Sequence, residues 1–87
     1  MKRNENFLLR DVAGALVIVP VGSAVSAFPG MITLNETAAY LWELLEQEQT
    51  VESLAAGLMD RYEVDEAKAT EDAKAFVDQL TPIGALV

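Results

Sequence analysis

The stretch Met31–Gln47, MITLNETAAYLWELLEQ, decides the fold, because it changes from strand to helix within one residue. The β-branched and apolar run Met31–Leu34 predicts a short strand, and the side chain of Asn35 suits the N-cap of a helix over Glu36–Gln47. At about 100° per residue, the apolar residues of this helix fall on one arc: Ala38, Leu41, Trp42, Leu44 and Leu45. We expect this helix to form the centre of the core, with Trp42 as its largest buried side chain.

Two strands are predicted before this stretch. Phe7–Val12 and Ala15–Pro20 are apolar, β-branched runs, and Gly14 between them can adopt the positive φ that a tight hairpin turn requires. The linker Val21–Phe28 alternates small and apolar residues, which is compatible with either a short extra strand or an irregular loop. Pro29–Gly30 is typical of a turn that leads into the next strand.

Two further helices are predicted after it. Thr50 is placed to cap a helix over Val51–Arg61, and Asp65 is placed to cap another over Glu66–Leu80. Gly57 lies opposite the apolar face of the first of these, and we interpret it as a tolerated glycine rather than a packing site. The order of elements predicts an α+β fold, winged helix-turn-helix-like, with a three-stranded antiparallel sheet at the N-terminus followed by three helices.

Length and composition exclude several classes of protein. The 87 residues are enough for one domain over residues 1–87, with the polar segment Met1–Asn6 expected to fray. Cysteine and histidine are absent, which excludes disulfides, cysteine nucleophiles, imidazole bases and Cys/His zinc sites. The uncharged stretch Val12–Asn35 is interrupted by two prolines and three glycines, so we expect no membrane span and a cytoplasmic protein.

The net charge of −8 argues against a nucleic-acid partner. The first 40 residues are balanced, so the whole acidic excess lies in the helical half. The helix that would read DNA carries only Lys68 and Lys74 as cations, against four carboxylates: Glu66, Glu71, Asp72 and Asp78. Because DNA binding requires basic contacts to phosphates, this surface favours a neutral or basic partner.

The sequence contains no convincing catalytic or carrier motif. Glu52-Ser53-Leu54 is similar to the phosphopantetheine attachment site of acyl carrier proteins, but the match is short, and carriers have no strands to match the first third of the chain. The carboxylate cluster Glu63, Asp65 and Glu66 lacks the glycine and the spacing of a calcium loop. We therefore expect neither an enzyme nor a carrier protein, and no bound cofactor or metal.

Taken in order, the motifs resemble the PqqD-like family of peptide-recognition proteins, named for a component of pyrroloquinoline quinone biosynthesis. Four segments covering nearly the whole chain carry the resemblance: Phe7–Gly14, Val19–Gly22, Ile32–Thr37 with Leu41–Leu45, and Tyr62–Asp65. One departure is Pro29–Gly30, where a pair like Asn-Gly is more typical of the family.

The resemblance implies a function that is not catalytic. Members of this family bind the leader segment of a ribosomally made precursor peptide and present it to a modifying enzyme, often a radical S-adenosylmethionine (SAM) enzyme. The leader is added to the edge of the third strand and lies beside the third helix. Carried onto this sequence, the implied site consists of a strand and a helix flank: Met31, Ile32, Thr33 and Leu34, with Thr70, Lys74 and Val77.

One structural alternative stays open at the level of sequence. An exposed strand edge can also pair with a second copy of the same chain, which would give a homodimer or a domain swap. The protein would then be a structural or regulatory interaction domain.

Overall fold

The computed structural model describes residues 1–27 and 30–87. Its first element is the expected hairpin of β1 (Phe7–Val12) and β2 (Ala15–Pro20), which pair antiparallel over their full length. Ala13 and Gly14 form the two-residue turn with φ values of 54° and 85°, and positive φ at both positions is the mark of a type I′ turn. The side chain of Asp11 supports it by accepting a 2.9 Å hydrogen bond from the Gly14 N–H.

The linker to the third strand contains one turn of helix, α1 (Ala24–Ala27), rather than the strand or irregular loop considered from the sequence. The predicted turn at Pro29–Gly30 falls partly outside the described residues, as does Phe28. Strand β3 (Ile32–Leu34) begins one residue later than predicted, and it pairs antiparallel with β2.

The three predicted helices are confirmed as α2 (Glu36–Leu44), α3 (Val51–Arg61) and α4 (Glu66–Leu80). Each begins at the predicted residue because the expected N-cap side chain accepts a backbone hydrogen bond from the first turn: Asn35, Thr50 and Asp65. Helix α2 is shorter than expected and ends at Leu44 instead of Gln47. The α+β class, with a three-stranded antiparallel sheet followed by helices, is therefore confirmed.

The helices cover one face of the sheet and form a single core with it. Trp42 is 2% exposed and is the largest fully buried side chain of the described residues. Around it lie buried residues from all three strands and all three long helices, among them Phe7, Ile18, Leu34, Leu41, Leu54, Leu58 and Phe76. No helix in the described part of the chain is long and apolar enough to cross a membrane.

Gly57 corrects one sequence interpretation. A Cβ atom added at this position would lie 2.6 Å from Cδ1 of Leu44 and 3.7 Å from the hydroxyl of Tyr40. Gly57 thus lies where α3 meets the side chains of Leu44 and Tyr40 from α2, a contact that the sequence interpretation did not include. The apolar arc of α3 gave no sign of this contact, because Gly57 lies off that arc.

The first residues, expected to fray, are tied to the end of the chain. Lys2 and Val87 exchange two backbone hydrogen bonds of 2.8 and 2.7 Å, and the Asn4 N–H donates to the carbonyl of Ala85. The Arg3 N–H donates to the carbonyl of Leu45 at the end of α2. Backbone pairing between segments that are far apart in sequence, which no local pattern reveals, orders this segment.

Candidate functional site

Strand β3 lies at an edge of the sheet. Among the described residues the strand order is β1-β2-β3, so β3 pairs with β2 on one side only. Leu34 is 6% exposed and points into the core, Thr33 is exposed, and Met31 just before the strand is 58% exposed. The edge carries no charged side chain, and charge is one of the means by which proteins protect sheet edges from pairing.

A groove runs from the end of β3 between α2 and α4, with a volume of about 340 Å³. We call it the α2–α4 groove. Its lining residues come from the start of α2 and from one flank of α4: Asn35, Thr37, Ala38, Leu41, Lys68, Asp72, Ala75, Phe76 and Gln79. Asn35 directly follows β3, so one end of the groove lies where this strand leads into α2.

One ion pair neutralises the charges of the groove. The ammonium group of Lys68 lies 3.1 Å from a carboxylate oxygen of Asp72, one helical turn later. The hydrogen bond to Asp72 and the negative charge of that carboxylate raise the pKa of Lys68 above its ordinary value. Since Leu41 and Phe76 form the buried part of the lining, the groove offers an apolar floor with a rim of no net charge.

The helix residues expected from the resemblance lie on another flank of α4. Thr70 is separated from Ala75 by about 140° around the helix at 100° per residue, so it turns away from the groove. Lys74 lies 3.6 Å from Asp78 in an exposed pair, and Val77 is half-buried against the core. The structure thus brings Asn35, the residue after β3, together with Lys68 and its neighbours, and Thr70, Lys74 and Val77 do not line the groove.

Sequence reasoning missed the groove-lining residues of α4. They recur at helical spacing, at positions 68, 72, 75, 76 and 79, so periodicity defines them as one flank. The apolar stripe of α4 is compatible with either flank of the helix facing the strand. Only the position of α4 relative to Asn35 shows which flank faces the strand.

A second hollow lies on the opposite side of α2, and we call it the hairpin cavity. Its volume is about 610 Å³, and it is lined by the hairpin tip, α2 and the end of α3, including Leu9, Ala15, Leu16, Leu34, Ala39, Tyr40, Arg61 and Tyr62. The guanidinium of Arg61 stacks over the ring of Tyr40 at 4.7 Å. The hydroxyl of Tyr62 is buried and has no hydrogen-bond partner among the described residues.

An open sheet edge beside a groove is the geometry of domains that bind an extended peptide by strand addition. The chain belongs to the PqqD family: the family model described as "Coenzyme PQQ synthesis protein D (PqqD)" matches residues 15–85. The resemblance noted from the sequence is therefore confirmed.

Two solved structures are similar to this chain. One is described as "TbiB1 in Complex with the TbiA(beta) Leader Peptide"; it has a TM-score of 0.76 and 19% sequence identity, covering 99% of this chain and 94% of that one. The other is described as "Lasso peptide synthetase B1 complexed with the leader peptide"; it has a TM-score of 0.72 and 23% identity, covering 95% and 92%. These likenesses establish a shared fold. None of the curated proteins compared with this sequence matches it.

Proposed function

We propose that this protein is a leader-peptide recognition element. It binds the leader of a ribosomally made precursor peptide by adding it as a strand to β3, and it presents the peptide to a modifying enzyme. The observation that carries the proposal is the free, uncharged edge of β3, which leads through Asn35 into the α2–α4 groove. Membership of the PqqD family and the two leader-bound structures of the same fold support it.

The proposed site has two parts: the edge of β3, which pairs with the ligand's backbone, and the α2–α4 groove, which accepts its side chains. The strand Met31–Leu34 would supply N–H and C=O groups for affinity, and the groove would select the ligand's side chains. We assign the groove contacts to the facing flank of α4: Lys68, Asp72, Ala75, Phe76 and Gln79. Thr70, Lys74 and Val77 remain a competing prediction, which variants on the two flanks distinguish.

Four residues would position this site, and one of them, Asn35, also lines the groove. Asn35 and Asp65 accept hydrogen bonds of 2.8 Å that begin α2 and α4, the two walls of the groove. Trp42 anchors α2 in the core, and Gly14 forms the turn that sets the pairing of β1 with β2. Their proposed role is structural.

The same proposal includes a partner enzyme and a cellular location. The protein would deliver its leader to a radical SAM enzyme or another peptide-modifying enzyme, and it would need no cofactor of its own, since recognition requires only hydrogen bonds and apolar contact. It would act in the cytoplasm, where ribosomes make the precursor. The net charge of −8 favours a neutral or basic leader.

The test is an NMR titration of the ¹⁵N-labelled protein with synthetic peptides matching the N-terminal halves of short reading frames beside its gene. We expect saturable shifts of backbone amides in β3 and along the α2–α4 groove. Saturable shifts elsewhere would contradict the site, and no binding by any of these peptides would contradict the function.

A homodimer is the second candidate function, and the free edge of β3 is the observation that favours it. Analytical ultracentrifugation of the isolated protein at several concentrations distinguishes the homodimer from the leader-binding function. A stable dimer that loses its self-association with the variant T33P, and that binds none of the peptides, would replace leader binding by a structural or regulatory role.

A further inference from the structure

The sheet has a second open edge, at β1, on the side away from β3. Because the strand order is β1-β2-β3, β1 pairs with β2 alone among the described residues. A hollow of about 520 Å³ lies along this edge, and we call it the β1-edge hollow. Its lining residues come from the first residues of the chain, from β1 and from α2: Arg3, Glu5, Phe7, Leu8, Leu9, Arg10 and Trp42. Successive side chains of a strand point to opposite faces, so a hollow that meets four consecutive residues of β1 follows its edge.

The hydrogen bonds of the hairpin show which backbone groups of β1 are free. Asn6 and Val21 extend the register of the hairpin by one pair, and the Val21 N–H donates to the Asn6 carbonyl at 2.7 Å. In an antiparallel pair the hydrogen-bonded and non-bonded positions alternate, so the even-numbered residues of β1 direct their peptide groups to β2. Leu9 and Asp11 therefore direct their N–H and C=O groups to the open edge.

Two arginines make the β1-edge hollow net positive on an acidic chain. Arg3 and Arg10 share the lining with one carboxylate, that of Glu5, whereas the net charge of the whole chain is −8. Within residues 1–27 and 30–87, neither arginine has an ion-pair partner, and the ion pairs there involve the N-terminal ammonium, Lys68 and Lys74. The cations of the hollow therefore suit a ligand that brings carboxylates.

Arg3 is fixed in place by contacts with α2 and with the residue after it. Its N–H donates to the Leu45 carbonyl at 2.8 Å, and its guanidinium donates to the Trp42 carbonyl at 3.2 Å. The guanidinium also lies over the Trp42 ring, 5.9 Å from the ring centre. Because arginine carries several N–H donors, one bond to a carbonyl leaves others that can bind a carboxylate. Arg10, in β1, is exposed.

We propose that the β1 edge binds an acidic, extended segment of the peptide-modifying enzyme, an inference that rests on the proposed function. The segment pairs with the outward peptide groups of Leu9 and Asp11. Its carboxylates bind Arg3 and Arg10. Because β1 and β3 lie at opposite edges of one sheet, the enzyme and the leader can be bound at the same time, which presentation requires. A second copy of the chain pairing through this edge would bring an identical net-positive hollow, so like charges would meet.

The first test measures binding of the full chain to the modifying enzyme encoded beside its gene, by titration calorimetry at low and at high salt. We expect R10E to lower the affinity for the enzyme about tenfold, because it replaces an attraction by a repulsion, and R10K to lower it less than about threefold. Higher salt should weaken the wild-type complex. Equal affinities of R10E and R10K would overturn the proposal, and so would a wild-type protein that does not bind the enzyme.

Glu5 supplies a variant of opposite sign. E5Q removes the one carboxylate that lines the hollow, so it should raise the affinity for the enzyme about twofold. Ala56 is exposed on α3 and does not line the hollow, so A56E tests the effect of net charge alone. We expect A56E to bind the enzyme as the wild type does. A fall in affinity with E5Q would contradict the proposed charge recognition.

The leader peptide separates a failure of this proposal from a failure of leader binding. R10E should bind the reading-frame peptide found in the NMR titration as the wild type does, and circular dichroism checks that the variant folds. If R10E loses affinity for the enzyme and for the peptide alike, the two edges are not independent and the proposal is overturned. If R10E loses affinity for the enzyme and no peptide binds even the wild type, leader binding fails while the contact at β1 stands.

Hydrogen exchange of the ¹⁵N-labelled protein locates the contact. We expect the amides of Leu9 and Asp11 to exchange quickly in the free protein and to become about tenfold more protected when the enzyme binds. Protection confined to the helices would overturn strand pairing at β1. Protection of these two amides that rises with protein concentration in the absence of the enzyme would assign the edge to a second copy of the chain, and would also overturn the proposal.

Discussion

Helix α2 separates two hollows that differ in what their backbone can offer a ligand. The hairpin cavity is the larger, at about 610 Å³ against about 340 Å³, and it contains the Tyr40, Arg61 and Tyr62 cluster. Its walls include residues of all three strands, and of these strands β2 is paired on both sides. The α2–α4 groove is smaller and less apolar at its rim, and it is lined by Asn35, the residue that follows β3, and by one flank of α4.

The comparison shows that volume alone does not identify a peptide site. An extended peptide must satisfy its own N–H and C=O groups when it leaves water, since a buried unpaired polar group costs about 1–3 kcal/mol. Both hollows meet β3: Asn35, directly after the strand, lines the groove, and Thr33 and Leu34 line the hairpin cavity. What distinguishes the groove is its second wall, which is a flank of α4 instead of the hairpin and the end of α3.

The largest expected effect comes from filling one hollow and then the other with the same side chain. Ala75 is exposed in the α2–α4 groove, and Ala15 is exposed at the hairpin cavity. We expect A75R to weaken peptide binding about 100-fold, or nearly 3 kcal/mol, because the arginine occupies the groove. A15R should change the affinity less than twofold. Titration calorimetry with the same peptide measures both.

A third variant decides between the two flanks of α4. Thr70 is exposed and belongs to the flank predicted from the sequence. T70R is therefore a matched control for A75R, because both variants place an arginine at an exposed position of α4. We expect T70R to bind as the wild type does. Strong loss in T70R with none in A75R would restore the Thr70, Lys74 and Val77 site.

A smaller effect, on stability, is expected on the cavity side of α2. The variant G57V should lower the free energy of unfolding by about 2 kcal/mol, because the added methyl groups press on Leu44 and Tyr40. The matched variant G57A should be nearly neutral: Leu44 contributes only the end of a flexible side chain, and alanine gains about 1 kcal/mol in helix propensity. Equal stability of the two variants in urea unfolding would contradict the close approach of α3 to α2.

The fold was predictable where local chemistry decides it. Asn35, Thr50 and Asp65 are oxygen-bearing side chains at positions where a helix needs an acceptor, and each caps the predicted helix. Gly14 likewise forms the predicted turn. By contrast, the pairing of residues 2–4 with residues 85–87 joins the two ends of the chain, and no window of sequence contains both partners.

Both halves of the candidate site stay predictions, and they rest on different kinds of information. The strand Met31–Leu34 follows from residue types and from the sequence resemblance, but the flank of α4 depends on how one helix is rotated about its axis. The apolar stripe of Ala69, Ala73, Phe76 and Leu80 fixes which side is buried and leaves two flanks equivalent. The same limit applies to Gly57, since its contact is with another helix.

A smaller change in stability is expected from the variant Y62F in the hairpin cavity. The Tyr62 hydroxyl is buried without a hydrogen-bond partner among the described residues, so its removal relieves an unfavourable burial. We expect the free energy of unfolding to rise by up to about 1 kcal/mol, with unchanged peptide affinity. A clear loss of stability in thermal unfolding would mean that the hydroxyl has a partner, such as a bound water.

The smallest effect concerns the charge of the groove. The hydrogen bond to Asp72 and its negative charge raise the pKa of Lys68, so D72N should return that pKa toward its ordinary value of 10.5. Because the folded pKa is the higher one, the contribution of the pair to stability is complete below pH 10.5 and is lost as the pH rises through the folded pKa. Both side chains reach solvent, so we expect no resolvable shift of the thermal midpoint at neutral pH. An NMR titration of the Lys68 side chain in both proteins measures the change, and an identical pKa in D72N would show that the ion pair does not neutralise the groove.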